Sequence, residues 1–272
     1  MNPVKTTDIS RNTIHFVKPG ELIDVHEVSP LTLTDRRIFN QLIANAWESI
    51  EEDKEHVISK AALMGSMTGN DRIEKNILRL MGAIVQIKIQ KDGESATQRI
   101  HLLGTNIEHD RKDGLLYYRF PDDLRSLIAN SNVWAKIQHD VMFAFTSKYA
   151  LTLYEMIQKR RNMRITHEKF SIPEIRSFLG VPKNKLKRFA DLNKYALKKA
   201  VEEVNGLSDM EVRIVPLKRG RTVVALEIWW FQKDLPKAKA SYAELQRHKA
   251  GRKARLSGTY ETPALDKMLD GS

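Results

Sequence analysis

Cysteine is absent from this sequence of 272 residues. Its absence excludes disulfide bonds, a thiol nucleophile and most structural zinc sites, which depend on thiolate ligands. Long apolar runs are absent as well, since no stretch approaches the roughly 18 apolar residues of a membrane-spanning helix. The opening MNPVKTTDISRN lacks the apolar region of a secretory signal. These absences together predict a water-soluble, cytoplasmic protein.

Two motifs of nucleic-acid enzymes are also missing. Gly65 and Gly69 have the wrong spacing for the phosphate-binding motif G-x-x-x-x-G-K-[ST], and no lysine follows them directly. The His-apolar-His metal pair of DNA-nicking enzymes is absent, because the 8 histidines never lie closer than eight residues apart. Neighbouring carboxylates, at 51–53 and at 122–123, lie in polar contexts typical of solvated faces or helix caps. We predict no enzyme activity, no catalytic residue, no metal site and no cofactor.

Basic residues are abundant. Lys and Arg number 45 against 34 Asp and Glu, which gives a net charge of +11 and a pI near 9.7. Such an excess favours a polyanionic partner, with nucleic acid first. A membrane surface is the alternative polyanion, but with no spanning segment we expect no membrane partner. The charge is uneven: residues 21–56 hold nine acids and three bases, whereas residues 183–199 hold seven bases and one acid. We therefore expect nucleic-acid contact in the second half of the chain.

The length favours two domains. The first residues, around Pro19-Gly20, lack helical periodicity, and the last residues have few apolar side chains apart from Tyr242, Leu245 and Leu256. We predict four segments: an N-terminal arm at 1–25, a first domain with linker at 26–140, a second domain at 141–232, and a basic tail at 233–272 that is either disordered or a loose helix.

The first half predicts a winged helix. A helix is expected from Leu33, with Thr34 as its N-cap and an apolar face of Ile38, Phe39, Leu42, Ile43 and Ala46. The stretch 56–103 then reads as strand, helix, turn, helix and β-hairpin. Predicted features are a cap at Ser59, turn glycines at Gly65 and Gly69, a cap at Asn70, a buried stripe of Ile73, Ile77, Leu80 and Met81, and a hairpin turn at Lys91-Asp92-Gly93.

The second half repeats this order. After a connecting helix that Pro121 opens, an amphipathic helix buries Ala150, Leu153, Tyr154 and Ile157. Ser171 and Glu174 have the spacing of a capping box, and Gly180 ends the helix that they begin. A long helix and the hairpin 212–231 follow. The fold class predicted for the chain is therefore α+β, with two tandem winged-helix domains.

The long helix of the second half carries the strongest candidate DNA contacts. On a helical wheel from Leu186 to Asn205, one face is apolar (Phe189, Leu192, Ala196, Leu197, Ala200, Val201 and Val204) and the other holds Lys187, Asp191, Lys194 and Lys198. Such a helix suits the major groove, where lysine meets phosphate or guanine and Asn193 could pair with adenine. The candidates are Lys183, Lys185, Lys187, Arg188, Asn193, Lys194 and Lys198 in the helical region, and Lys218, Arg219 and Arg221 in the hairpin turn. The alternative is a lysine-rich surface helix that meets only solvent.

The first half offers weaker candidates, namely Arg72, Lys75, Asn76 and Arg79, on the predicted exposed side of the helix after Asn70. The acidic residues Asp71 and Glu74 of the same predicted helix reduce the net positive charge around them. The four tryptophans, Trp47, Trp134, Trp229 and Trp230, are predicted to be core or interface residues, because no alternating basic and aromatic strand pattern of single-strand-binding proteins accompanies them.

Four stretches resemble plasmid replication initiators of the Rep_3 type. They are GELIDVHEVSPLTLTDRRIFNQLIANAW in the first half and SKYALTLYEMIQKRRN, FSIPEIRSFLGV and FADLNKYALKKAVEEVN in the second. The resemblance runs over residues 20–232, and the second-half stretches are its most specific part. One departure is Leu186, which stands where relatives often have an aromatic residue.

The resemblance implies two winged helices that bind directly repeated origin sites, called iterons, in double-stranded DNA of a bacterial plasmid. It also implies origin opening with a host initiator and the replicative helicase, by a monomer. A homodimer, formed through the first domain, would bind the chain's own promoter and repress its gene. By position, the recognition helix contains Lys187, Arg188, Lys194 and Lys198, and the wing spans 218–221.

Three other functions stay open at this point. The nearest is a tandem winged-helix transcriptional regulator without a role in replication. A metal-dependent DNA-nicking enzyme is disfavoured by the missing histidine pair. An interaction protein with acidic protein partners would also use a basic face.

Overall fold

The computed structural model describes residues 5–9, 12, 14–64, 71–107 and 114–257, with the backbone alone at 64, 71, 72 and 91. The chain forms two compact units, Met1–Phe143 and Ala144–Ser272, called unit 1 and unit 2. The sequence predicted the boundary between the two domains at 140/141, three residues before the division between the two units. In the described ranges, no helix has the length and apolar character needed to cross a membrane.

The described residues of unit 1 form five α-helices and eight strands, besides short 3-10 turns at Thr6–Asp8, Gly20–Leu22 and Trp47–Ser49. The helices are α1 Leu33–Ala46, α2 Lys60–Met64, α3 Asp71–Met81, α4 Asp122–Ala129 and α5 His139–Ala144, whose last residue already belongs to unit 2. The strands are β1 His15–Pro19, β2 His26–Glu27, β3 His56–Ser59, β4 Ile84–Lys91, β5 Glu94–His101, β6 Asn106–Ile107, β7 Leu115–Tyr118 and β8 Trp134–Gln138. They form three antiparallel sheets, in the orders β1-β8, β2-β4-β5 and β3-β7-β6.

Helix α1 begins with a capping box. The Thr32 hydroxyl accepts a hydrogen bond from the Asp35 amide, and the Asp35 carboxylate accepts one from the Thr32 amide. The prediction of Thr34 as the N-cap was wrong, because only Thr32 has an acidic residue three positions later that completes this exchange. The predicted apolar face of α1 is confirmed: all five of its residues are buried.

The prediction of an N-terminal arm over residues 1–25 was wrong for residues 15–25. Strand β1 pairs with β8 in the register Phe16 to Ile137, so the beginning of the chain completes a sheet of unit 1. Phe16, Val17 and Leu22 are buried in the core. A five-residue strand that buries four successive residues shows no alternation of polar and apolar side chains, so the sequence pattern could not indicate it.

The winged-helix elements of unit 1 are α2, α3 and the β4-β5 hairpin. Gly65, Gly69 and Asn70 lie outside the described residues. Within α3 the predicted stripe is buried at Ile73, Ile77 and Leu80, and Met81 is partly buried. The hairpin turns at Asp92 and Gly93, which both have positive φ angles, of 53° and 81°. Positive φ at both central residues is typical of the turns that suit the twist of a hairpin.

In unit 2, as far as residue 257, the strands form one sheet, with helices before, between and after them. The helices are α6 Lys148–Arg160, α7 Ile172–Phe178, α8 Phe189–Leu192, α9 Lys198–Leu207, α10 Leu235–Gln246 and α11 Arg252–Leu256, and a π-helical segment Asn193–Leu197 joins α8 to α9 without interruption. The strands are β9 His167–Ser171, β10 Met210–Arg219 and β11 Thr222–Gln232, in the antiparallel order β10-β11-β9. The continuous helix from α8 through α9 is called the recognition helix below.

Local sequence explains how the unit 2 helices begin. The Ser147 hydroxyl accepts a hydrogen bond from the Tyr149 amide at the start of α6. The predicted capping box of α7 is confirmed, with Ser171 and Glu174 each accepting from the other's amide. The predicted apolar residues of α6 are all buried. The buried Trp230 donates a hydrogen bond from its indole nitrogen to the carbonyl oxygen of Arg160, the last residue of the helix.

Of the two alternatives predicted for the tail from 233 onward, disorder was wrong for the residues up to 257, which include the helices α10 and α11. Asp234 caps α10 by accepting a hydrogen bond from the Lys237 amide. Leu256 of α11 packs so closely on Gly206 of α9 that a Cβ atom at 206 would overlap it. Composition missed this segment because a single apolar anchor and buried ion pairs, rather than an apolar stripe, fix it to the unit. Residues 258–272 lie outside the described part of the chain.

Candidate nucleic-acid interface

The cations predicted on the first turn of the long helix lie on a loop. The recognition helix begins at Phe189, with Arg188 as its N-cap. Leu186 has a φ angle of +49°, which no helical residue adopts. The predicted helical position of Lys187 was therefore wrong. The turn cations are exposed and precede the helix: they are Lys183, Lys185, Lys187 and Arg188.

Arg176 of α7 holds this turn in place. Its guanidinium donates hydrogen bonds to the carbonyl oxygens of Leu186 at 2.5 Å, Lys185 at 2.7 Å and Pro182 at 3.3 Å. Three bonds from one planar group fix three successive parts of the loop, including the left-handed residue. Sequence reasoning missed Arg176, because its partners are main-chain atoms and no side-chain pattern identifies them.

The recognition helix has the two faces that its sequence predicts. Leu192, Ala196, Leu197, Ala200, Val201 and Val204 are buried, whereas Phe189 is only partly covered. The helix cations, Lys194 and Lys198, are exposed, and Asn193 is partly buried. The Lys198 ammonium lies 3.9 Å from the Glu202 carboxylate one turn later, a weak surface pair that leaves the lysine accessible.

Two polar residues fix the inner side of this helix. The buried Glu203 carboxylate accepts hydrogen bonds from the Thr146 amide at 2.7 Å and the Ser147 amide at 3.2 Å, at the start of α6. The Asn205 side chain exchanges two hydrogen bonds with the main chain of Val212 in β10. The helix is therefore tied both to the helix before it and to the hairpin after it. These residues position the helix rather than extend its exposed face.

The hairpin tip of unit 2 places three cations in solvent. Arg219 pairs with Thr222, so that Gly220 and Arg221 form the turn, and Gly220 has a φ of +61°. The wing cations, Lys218, Arg219 and Arg221, are all exposed. Within the described ranges none of the three forms an ion pair, so their charge is available to an anionic ligand.

The corresponding helix of unit 1 uses its polar residues differently. Asn76 is buried at 3% exposure, so the prediction that it lies on the exposed side of α3 was wrong. Its side-chain oxygen accepts from Arg79 at 2.7 Å, and Arg79 also contacts the buried Asp35 carboxylate at 3.0 Å. Two members of the predicted contact set therefore connect α3 to α1. Lys75 is exposed, and the side chain of Arg72 lies outside the described residues.

The tryptophans lie in or on the hydrophobic packing. Trp47 and Trp230 are buried, and each indole nitrogen donates to a carbonyl oxygen, of Ile9 and Arg160 respectively. Trp134 and Trp229 are partly exposed on strands, and Trp229 stacks on His167 with 4.2 Å between ring centroids. In the described ranges, no group of His, Asp and Glu has the geometry of a metal site.

Comparison with known proteins agrees with this architecture. The family model described as "Initiator Replication protein, WH1" matches residues 15–158, which is more than half of the chain, and the one described as "Initiator Rep protein, WH2" matches residues 171–230. No curated protein matches the chain.

The fold is also found in a solved structure, "Crystal structure of Pi initiator protein in complex with iteron DNA", with a TM-score of 0.58. The match covers 83% of this chain and 100% of that one, at 15% sequence identity. At this identity the likeness supports the fold. With both family models matched in order, the chain belongs to the Rep_3 family of plasmid replication initiators and carries its two winged-helix domains.

Proposed function

We propose that the chain initiates plasmid replication by binding directly repeated origin sites in double-stranded DNA, and that unit 2 reads each repeat. The observation that carries the proposal is the placement of the turn cations, the helix cations and the wing cations around one winged helix. The structural relative named above was crystallised with iteron DNA, which supports the same ligand for this chain.

The three cationic groups have different tasks in the proposed complex. Lys194 and Lys198 enter the major groove with the recognition helix, beside Asn193, whose amide can pair with adenine. The turn cations meet the phosphates at the entrance of the groove, where the positive end of the helix dipole adds to their charge. The wing cations contact the backbone beside the groove. Phosphate contacts fix the register, and contacts to base edges supply the specificity.

In this proposal unit 1 has an auxiliary role. Lys75 and Arg72 remain candidate DNA contacts on α3, whereas Asn76 does not, because it is buried.

The homodimer implied by family membership would form through unit 1 and repress the chain's own gene, and the monomer would initiate. Several monomers on repeats spaced by whole helical turns would bend the DNA together and strain an adjacent AT-rich segment. The opened segment would then receive the host initiator and the replicative helicase.

Footprinting of the full chain on the DNA that flanks its own gene tests the function. Evenly spaced protection over direct repeats is expected. If roughly six to ten phosphates are neutralised, affinity should fall about 10³-fold to 10⁵-fold between 50 and 200 mM salt. Protection of an inverted promoter site alone would favour a transcriptional regulator, and an affinity insensitive to salt would contradict the phosphate contacts.

The proposal includes no bond cleavage by the chain. Supercoiled plasmid that is incubated with the chain and Mg²⁺ or Mn²⁺ should therefore stay supercoiled. A nicking activity that co-purifies with the protein and is abolished by EDTA would contradict this part of the proposal.

A further inference from the structure

Tyr195 is an exposed aromatic residue in the middle of the recognition helix. Its side chain is 54% exposed, although the next two residues, Ala196 and Leu197, are buried. Among the residues of this helix, it is the one large apolar side chain with more than half of its surface in solvent. Tyr195 therefore contributes little to the core of unit 2, and packing does not explain a tyrosine at this position.

The backbone at Tyr195 is also unusual. It lies at the centre of the π-helical segment Asn193–Leu197. A π-helical turn makes i to i+5 hydrogen bonds, is less stable than an α-helical turn, and occurs frequently at functional sites. Here the wider turn places Lys194 and Tyr195 side by side on the exposed face while Leu192 and Ala196 stay buried.

The charge around the ring indicates its ligand. The Lys194 ammonium lies 5.1 Å from the centroid of the Tyr195 ring, in a cation–π contact, and Lys198 is exposed three residues further along the helix. A flat apolar group between two cations suits a ligand that is anionic at its edges and apolar in between. The major groove has this pattern, because the 5-methyl group of thymine projects into it between the phosphate backbones.

We infer that Tyr195 is a specificity-determining residue whose ring packs on the methyl group of a thymine in the bound site. Lys194 holds the ring by the cation–π contact and, with Lys198, contacts the neighbouring phosphates or guanine. The inference rests on the proposed function, since it requires the recognition helix to enter the major groove. It adds a residue that reads a base through apolar contact to a surface whose other proposed contacts are basic or polar.

Selection from a randomised duplex DNA pool tests the inference without knowledge of the natural site. Full-length wild type, Tyr195→Ala and the control Tyr242→Ala are compared, since Tyr242 is a tyrosine of similar exposure, at 64%, on α10 of the same unit. Wild type and Tyr242→Ala should enrich the same motif. Tyr195→Ala should enrich it with one thymine position relaxed.

The contact is then measured directly on the selected duplex. Replacing thymines one at a time with deoxyuridine removes single methyl groups. For the wild type, one replacement should weaken binding about three- to fivefold, the effect of removing one buried methyl group, and the others should change little. For Tyr195→Ala that same replacement should have no further effect, and Tyr195→Phe should keep the sensitivity because it keeps the ring.

The outcomes separate the inference from the function on which it rests. If the wild type enriches no motif, double-stranded DNA recognition itself fails. If it enriches a motif and Tyr195→Ala keeps the same thymine sensitivity, DNA recognition stands and the role of Tyr195 is overturned. A uniform loss of affinity in Tyr195→Ala, with every position of the motif retained, would likewise overturn base reading.

Discussion

The two winged helices of this chain share an element order but use the polar residues of their second helices in opposite ways. In unit 1 the Arg79 side chain of α3 contacts both Asn76 of the same helix and the buried Asp35 of α1. In unit 2 the inner polar contacts come from Glu203 and Asn205, near the end of the recognition helix, and the lysines stay on the outside. In the second arrangement Lys194 and Lys198 are exposed on the outer face of the helix.

The two units also differ in how their strands pair. In unit 2 the strand before the helix-turn-helix, β9, pairs with β11 of the hairpin and completes one three-stranded sheet. In unit 1 the equivalent strand, β3, pairs with β7, and the hairpin pairs with β2 instead. Unit 1 has thus divided the winged-helix sheet in two. An identical order of elements along the chain does not require identical strand pairing.

The largest effect should come from removing the helix cations of unit 2. We expect Lys194→Ala with Lys198→Ala to weaken binding to the selected duplex about 100-fold, roughly tenfold for each lysine removed from the groove. The matched pair of exposed lysines in unit 1, Lys88→Ala with Lys136→Ala, lies outside the candidate contacts and should change affinity less than about threefold. Titrations by fluorescence anisotropy at one salt concentration measure both. Equal reductions of affinity in the two variants would contradict the assignment of DNA reading to unit 2.

Arg79 should show the opposite behaviour, as a residue of stability. Arg79→Ala leaves the buried Asp35 without its guanidinium and should lower the free energy of unfolding of unit 1 by about 2 kcal/mol. Amide hydrogen exchange of the full chain, read by mass spectrometry, reports each unit separately: peptides over α1 should exchange faster and peptides over α6 should not. Unchanged exchange of α1 would show that the pair contributes no stability.

Lys233 gives unit 2 a signature in alkaline solution. Its ammonium donates to the carbonyl oxygens of Asn205 and Ser208 and to the Ser241 hydroxyl, and burial lowers its pKa to about 8 from the usual 10.5. Between these values the unfolded chain holds a proton that the folded chain has released, so this residue's contribution to stability rises with pH. The rise should be about 1–2 kcal/mol. The difference in stability between wild type and Lys233→Gln should grow from pH 8 to pH 10, and a constant difference would contradict the shift.

His56 gives unit 1 a smaller signature in acid. It is buried against Tyr118 and Phe120, and burial lowers the pKa of the imidazole below its usual 6.5. As the pH falls through 6.5, the unfolded chain gains a proton that the folded chain resists, so unit 1 loses stability. Amide hydrogen exchange of peptides over β3 is measured in wild type and in His56→Gln and corrected for the intrinsic exchange rate. Below pH 6.5 it should accelerate more in the wild type than in the variant. The same acceleration in His56→Gln would assign the effect to other groups.

Local patterns were sufficient wherever neighbours in sequence determine structure. The capping box of Ser171 and Glu174, the apolar stripe of the recognition helix and the hairpin turn at Gly220 could all be predicted, because each depends on residues a few positions apart. Asn76 was assigned to the exposed side because it is polar, although it lies three residues after Ile73 and four before Leu80, and the Arg79 bonds to Asn76 and Asp35 could not be predicted from local spacing. A helical wheel identifies a face but not what lies opposite it.

The loop before the recognition helix and the folded segment after 233 were also missed, because each depends on contacts that the local side-chain pattern does not contain. Leu186 is left-handed because Arg176 binds the surrounding carbonyl groups, and the wheel that began at Leu186 could not include that contact. The segment after 233 folds because Leu256 meets Gly206 and because Lys233 binds the end of α9. The tail contacts join residues far apart in the sequence, whereas Arg176 lies near Leu186 but binds main-chain atoms, which no side-chain pattern identifies.

Lysine footprinting of the full chain tests the central claim most directly. Acetylation of each lysine is quantified by mass spectrometry in the free protein and in its complex with the selected duplex. The account predicts reduced reactivity at Lys183, Lys185, Lys187, Lys194, Lys198 and Lys218, with Lys237 and Lys239 of α10 unchanged. Protection of Lys75 and Lys88 in unit 1, with the six lysines of unit 2 as reactive as before, would contradict it.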